Sequence, residues 1–175
     1  MSTADEGGAG TVLLCFDGSE PARQAIERVG LVLGGRSAIV LTVWESVGSA
    51  ILRHAPSGAT ELGREARAIS EDVVEELDSR TAERALATAT EGAALAAAAG
   101  FDARPLAPRA VARAAERDTA TVWRAVLAVA DEADAEVIVL GSRGRSGLAS
   151  MFLGSVSYGV VHNSTRPVLI VPPRS

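Results

Sequence analysis

An α/β fold, with an open, mainly parallel five-stranded sheet and helices on both faces, is predicted by three features of the sequence. Short apolar runs at 12–16, 38–44 (broken only by Thr42), 137–140 and 168–171 alternate with longer helical patterns. Strands covered on both faces read this way, whereas a half-exposed strand alternates apolar and polar residues. Breaks at glycine, proline or capping residues separate the runs from the helices, the order a βαβ chain requires. Finally, aromatics make up only 3% of 175 residues against 47% hydrophobic, so the core must be built from Val, Leu, Ile and Ala. One domain is expected over 11–175, preceded by a disordered tail at 1–10 that is small, acidic and polar.

The elements follow in order. Val12-Leu13-Leu14-Cys15-Phe16 is the first strand, and Asp17-Gly18-Ser19 ends it. Ser19 suits an N-cap, Glu20 the first turn, and Pro21 is tolerated there. Ala22, Ala25, Ile26, Val29 and Leu33 then share one helical face, and Gly34-Gly35 stops the helix. Ala38 to Trp44 reads as the second strand. Residues 48–63, with Pro56 and three glycines, read as a loop or irregular excursion.

From about 66 to 99 the chain is charged and alanine-rich, one long helix or two shorter ones, closed by Gly100. Its apolar end, Ala89 to Ala99, is expected to pack most deeply. Phe101 to Arg104 suggests a strand onset, and Pro105 and Pro108 restrict it to a sheet edge. Residues 110–117 fit strand, loop or helical turn equally. Thr119 or Thr121 can cap the next helix, with Val122, Val126 and Val129 along one face and Trp123 beside it. A fourth strand at 137–140, a helix from Ser155 to about Asn163 and a final strand at 168–171, stopped by Pro172-Pro173, complete the chain.

Charge and composition exclude several functions. The net charge of −5 lacks the basic face that nonspecific nucleic-acid binding needs. All seventeen basic residues are arginine, so neither a Walker lysine nor Schiff-base chemistry is available. A single cysteine makes no internal disulfide, and no run reaches the roughly 20 apolar residues of a membrane span. Without a signal-peptide pattern, a cytoplasmic location is expected. His54 and His162 have no partners at ligand spacing, which argues against zinc, and no G-x-S-x-G elbow surrounds Ser157. No catalytic residue is singled out.

The chemistry concentrates in 136–157. A strand runs into a loop carrying Gly141, Gly144 and Gly147, and a helix begins at Gly154-Ser155-Val156-Ser157. Glycines let the backbone approach a ligand, and the first helical amides lack partners inside the helix. Together with the helix dipole they favour phosphate oxygens. Ser155 and Ser157 serve either as caps or as phosphate contacts. Asp17 serves either as a turn residue or as a ribose or metal ligand. One of Arg143 and Arg145 facing phosphate is favoured, because an acidic protein must supply local positive charge. The dipole contributes about 0.3–2 kcal/mol, and micromolar affinity requires about 8 kcal/mol. Base packing and hydrogen bonds must supply most of the difference.

The pattern G-x2-G-x9-G-[ST], present as Gly141, Gly144, Gly154 and Ser155, resembles that of the universal stress protein family, specifically its ATP-binding branch. The resemblance extends from Val12 to Val171 and includes Asp17-Gly18-Ser19 and the terminal RPVLIVP strand. It departs from short family members in 49–70 and 101–120. It implies an adenine nucleotide alpha-hydrolase-like, Rossmann-like sheet. It places adenine beside Val43 and sets Cys15, Phe16 and Asp17 against base and ribose. Phosphates, usually with a divalent ion such as Mg²⁺, fall near Gly141, Arg143, Gly144, Gly154, Ser155, Val156 and Ser157, and Leu140 is a further expected nucleotide-binding residue. It also implies a homodimer through the 168–171 strand. The expected function is thus an ATP-binding, nucleotide-responsive regulatory module in stress response. A slow ATPase or phosphotransfer enzyme on the same site, or a structural dimer with an empty loop, are the alternatives.

Overall fold

The structure, a computed structural model, describes residues 10–47, 71–110, 120–142 and 153–173. The expected tail except Gly10, the 48–63 excursion, most of the ambiguous 110–117 stretch, the candidate cap Thr119, His54, and Arg143, Gly144 and Arg145 lie outside these residues.

Val12–Cys15 forms β1, and Ser19 caps helix α1 (Glu20–Leu33), its hydroxyl accepting from the Ala22 amide at 3.4 Å. The turn between them passes through Gly18 at φ +80°, a left-handed conformation that glycine alone adopts without strain. Strand β2 is Ser37–Leu41, and the short β3 is Trp44–Glu45. One helix, α2 (Glu71–Ala98), occupies most of the alanine-rich stretch. Its apolar end is the deeper one, with Ala89, Ala93 and Ala96 buried. Strands β4 (Asp102–Leu106) and β5 (Arg109–Ala110) follow, then α3 (Ala120–Glu132), β6 (Val137–Gly141), α4 (Ser155–Asn163) and β7 (Val168–Val171).

The five longer strands form one parallel sheet in the order β4-β2-β1-β6-β7. Pro105-bearing β4 is an edge strand, as its proline requires. Successive residues of the central strands feed opposite layers. Leu14, Phe16 and Val40 pack with Ile26 and Val29 of α1 and with Ala93 and Ala96 of α2. Leu13, Ile39, Leu41, Ile138 and Leu140 pack with Val126, Val129 and Ala130 of α3 and with Val160 of α4. Continuous apolar strands are the sequence consequence of this two-sided burial.

Three expectations are corrected. The apolar run 38–44 is not one strand, because β2 ends at Leu41. Beyond it, the Thr42 amide reaches the Leu106 carbonyl at 3.0 Å and the Trp44 amide reaches Pro108 at 3.3 Å, so Trp44 pairs with Arg109 in a separate two-stranded sheet. Thr121 lies inside α3 rather than capping it, since that helix already includes Ala120. The cap of α4 is Gly154, without a side-chain hydrogen bond, so neither Ser155 nor Ser157 performs that role.

Gly92 shows how closely α2 approaches the sheet. A Cβ there would lie 2.6 Å from the Phe16 ring and 2.7 Å from Val40, both buried. Replacing Gly92 with Val is expected to lower stability by about 1–3 kcal/mol through overpacking. The check is a lower urea midpoint with an unchanged denaturant slope.

Candidate functional site

Strands β1 and β6 are neighbours, with Val12, Leu13 and Leu14 in register with Val137, Ile138 and Val139. Beyond their carboxyl ends the chain departs to opposite layers, to α1 after β1 and to α4 after β6. A crevice must open where the two connections diverge. It is a cavity of about 190 Å³. Among the described residues its walls are Cys15 at the end of β1, Phe16 and Asp17 beyond it, Ala22 of α1, Leu41 and Val43 at the end of β2, and Leu140 and Gly141 of β6. Gly154, Ser155, Val156 and Ser157 at the start of α4, with Val122 and Val126 of α3, complete them.

The cavity brings together ten of the twelve residues expected at the site, drawn from loops about 120 residues apart in sequence. The other two, Arg143 and Gly144, are among the undescribed residues. Ala22, Leu41, Val122 and Val126 were legible only as core. Helical periodicity marks an apolar face and cannot distinguish a face against the core from one against a cavity.

One end of the cleft is rich in hydrogen-bond donors. The first intrahelical bond of α4 runs from the Tyr158 amide to the Gly154 carbonyl at 2.8 Å. The amides of Ser155, Val156 and Ser157 therefore have no acceptor within the helix. No acidic residue lies in that first turn, so the positive end of the helix dipole is not offset. Ser157 itself is buried, and its hydroxyl donates to the Gly141 carbonyl at 2.9 Å.

The other end carries an unused backbone edge. Thr42 and Trp44 donate toward β4 and β5, while the Phe16 amide donates to the Leu41 carbonyl at 2.9 Å on the opposite side. Alternation along an extended chain turns the N–H and C=O of Val43 to that opposite side, beyond the point where β1 leaves. Among the described residues neither group has a main-chain partner. Val43 thus offers one donor and one acceptor at the cavity wall.

Asp17 realises the turn reading: its carboxylate accepts from the Ser19 amide at 3.0 Å while lining the cavity. Cys15 is a half-buried part of the cavity wall. Burial, reinforced by the nearby Asp17 charge, pushes its thiol up to about 12 from the ordinary 9.0. Trp123 packs beside Gly159 of α4, where a Cβ would come within 2.3 Å of the indole. His162 stacks on Tyr158 with ring centroids 4.8 Å apart.

A family model described as the universal stress protein family matches residues 9–172. Three curated universal stress proteins, from Mycolicibacterium smegmatis, Bacillus subtilis and Synechocystis, match at 50%, 56% and 58% identity over 40, 46 and 38 residues. Those stretches are 23%, 26% and 22% of this chain, and the chain spans only 14%, 31% and 25% of the relatives' lengths. Among solved structures, the hypothetical protein MJ0577 aligns with a TM-score of 0.70 at 21% identity, over 96% of this chain and 99% of the other. A universal stress protein in complex with cAMP aligns with a TM-score of 0.53 at 23% identity, over 93% and 96%. The Archaeoglobus fulgidus universal stress protein in complex with dAMP aligns at 0.51 and 16% identity, over 92% and 95%. At these identities the structural likeness shows the fold.

The thiol of Cys15 provides a probe of the cavity. The unfolded chain loses this proton above about pH 9 while the folded cavity retains it, so the group leaves stability unchanged below 9 and lowers it progressively from 9 toward 12. Cys15→Ala is expected to flatten that alkaline decline in urea midpoints measured across pH. Alkylation by iodoacetamide at pH 8 should be on the order of a thousandfold slower in native than in unfolded protein, following the thiolate fraction.

Proposed function

Because the chain belongs to the universal stress protein family, we propose that its cleft binds an adenine nucleotide, ATP with Mg²⁺, and that the protein is a nucleotide-responsive regulatory module of the cytoplasm acting in stress response. The observation that carries this reading is the pairing of two chemistries in one cavity. Val43 supplies a backbone donor and acceptor, and the first turn of α4 supplies three amides without intrahelical acceptors. The Watson–Crick edge of adenine presents an acceptor at N1 beside a donor at N6, complementary to one N–H and one C=O of an extended residue. Guanine presents the reverse and would leave both groups unpaired, at a cost. Apolar walls from Leu41, Val122 and Val126 suit the faces of a purine. Relatives holding cAMP and dAMP support an adenine nucleotide.

The donors present also suit the metal. Mg²⁺ is bound by one or two carboxylates together with substrate phosphates, rather than by an all-protein cage. Asp17 is the carboxylate that lines the cavity among the described residues. When bound, the ion would neutralise phosphate charge that an acidic protein is poorly placed to offset.

Isothermal titration is expected to show ATP with Mg²⁺ binding in the micromolar range, about 8 kcal/mol. GTP should bind at least about a hundredfold more weakly. No heat with ATP up to millimolar concentration would overturn the proposal.

We also infer a homodimer formed through β7. Of the two edges of the large sheet, β4 is blunted by Asp102, Arg104 and Pro105, whereas β7 is wholly apolar. Leu169 on β7 and Tyr158 and Val161 on the neighbouring α4 are exposed. Bare apolar edges recruit further strands, and a second copy of this chain satisfies one with matching chemistry. Light scattering at micromolar concentration should give a dimer mass, and Leu169→Arg should give a monomer. A monomeric wild type would remove this inference.

A further inference from the structure

Among the described residues the buried polar side chains are Thr42, Ser46 and Ser157. Two of them do related work at the cleft. The Thr42 hydroxyl donates to the Phe16 carbonyl at 2.8 Å, just beyond β1, and the Ser157 hydroxyl donates to the Gly141 carbonyl at 2.9 Å, at the end of β6. Each covers a carbonyl at the carboxyl end of a strand bordering the cavity.

We propose that Ser157 is a positioning residue for the anion-binding end of the cleft, fastening the first turn of α4 to β6 rather than contacting phosphate through its hydroxyl. The inference rests on the nucleotide reading above. A serine hydroxyl carries a single proton, and that of Ser157 is committed to Gly141. Phosphate oxygens are acceptors, so a hydroxyl whose proton points elsewhere offers them only lone pairs. Ser155, the first residue of α4, is exposed, and among the described residues its hydroxyl has no protein partner. The hydroxyl able to donate to an anion is therefore that of Ser155.

The bond also has a mechanical consequence. The Gly154 amide donates to the Ser142 carbonyl at 3.1 Å. Together with the Ser157–Gly141 bond, it joins the end of β6 to the start of α4 twice within the four residues from Gly154 to Ser157. The three amides that face the cleft take their direction from this double attachment. Covering the Gly141 carbonyl also removes an uncompensated negative dipole from the wall an anion approaches.

The test compares Ser157→Ala and Ser157→Thr with wild type in the full chain. ATP with Mg²⁺ and adenosine are titrated calorimetrically, and hydrogen exchange is followed at the Gly154 and Tyr158 amides without ligand. Ser157→Ala is expected to weaken ATP about tenfold, the worth of one hydrogen bond, to leave adenosine within about twofold, and to speed ligand-free exchange at both amides. Ser157→Thr should restore all three. ATP affinity unchanged in Ser157→Ala would overturn the proposal. So would weakened ATP binding with unchanged ligand-free exchange, the signature of a hydroxyl that touches phosphate directly. Equal losses for ATP and adenosine would also overturn it, marking a general defect of the fold. A wild type that gives no heat with ATP would instead overturn the nucleotide reading itself, and the exchange data would separate that failure from the failure of the clasp.

Discussion

The parallel pairing of β1 with β6 is the constraint on which the rest of this structure depends. Two adjacent parallel strands point their carboxyl ends the same way, yet here their connections leave for opposite layers. Backbone cannot fill the gap between departing chains, so a crevice forms whatever side chains surround it. Most of the cavity's walls derive from this geometry, with Val122 and Val126 of α3 added from the covering layer. The ends of β1 and β6 form its floor, the end of β2 forms one side, and the first turn of α4 forms the other.

Closeness between layers makes the crevice narrow enough to be useful. With few aromatics available, small residues bring the helices close to the sheet and to one another. Gly92 lets α2 approach Phe16 and Val40, Gly30 lets α1 approach Ala99, and Gly159 seats α4 against Trp123. At each position a methyl group would collide with a packed neighbour. The same contacts hold Phe16 and α4, two walls of the cleft, in place. Arg23 adds to this by lying over the Phe16 ring and pairing with Glu91 of α2.

Polar groups in the cleft divide into those committed to the fold and those left for a ligand. The hydroxyls of Thr42 and Ser157 and one oxygen of Asp17 are engaged with the backbone. The backbone of Val43, the first amides of α4 and the hydroxyl of Ser155 are not, among the described residues. Cys15, between the two sets, stays a neutral thiol because burial and the Asp17 charge both oppose ionisation. A residue's chemical type was therefore a poor guide to its role here, and its partners decided it.

The order of the helices and of the five strands of the large sheet, the caps and turns at Ser19 and Gly18, the edge placement of the proline-bearing strand and the start of α4 were all legible in the amino-acid order. So were ten of the residues that line the cavity. These follow from local rules of periodicity, capping and backbone restriction, together with a glycine spacing that resembles a known family's. Tertiary structure alone decided that β2 ends at Leu41, because the partner that draws Trp44 away is Arg109, more than 60 residues later. It alone set Val122 and Val126 against a cavity, Val126 while also packing in the core, and gave the proton of Ser157 to Gly141. Local sequence specifies which groups a segment exposes, but which distant atom satisfies each of them is set only when the sheet assembles.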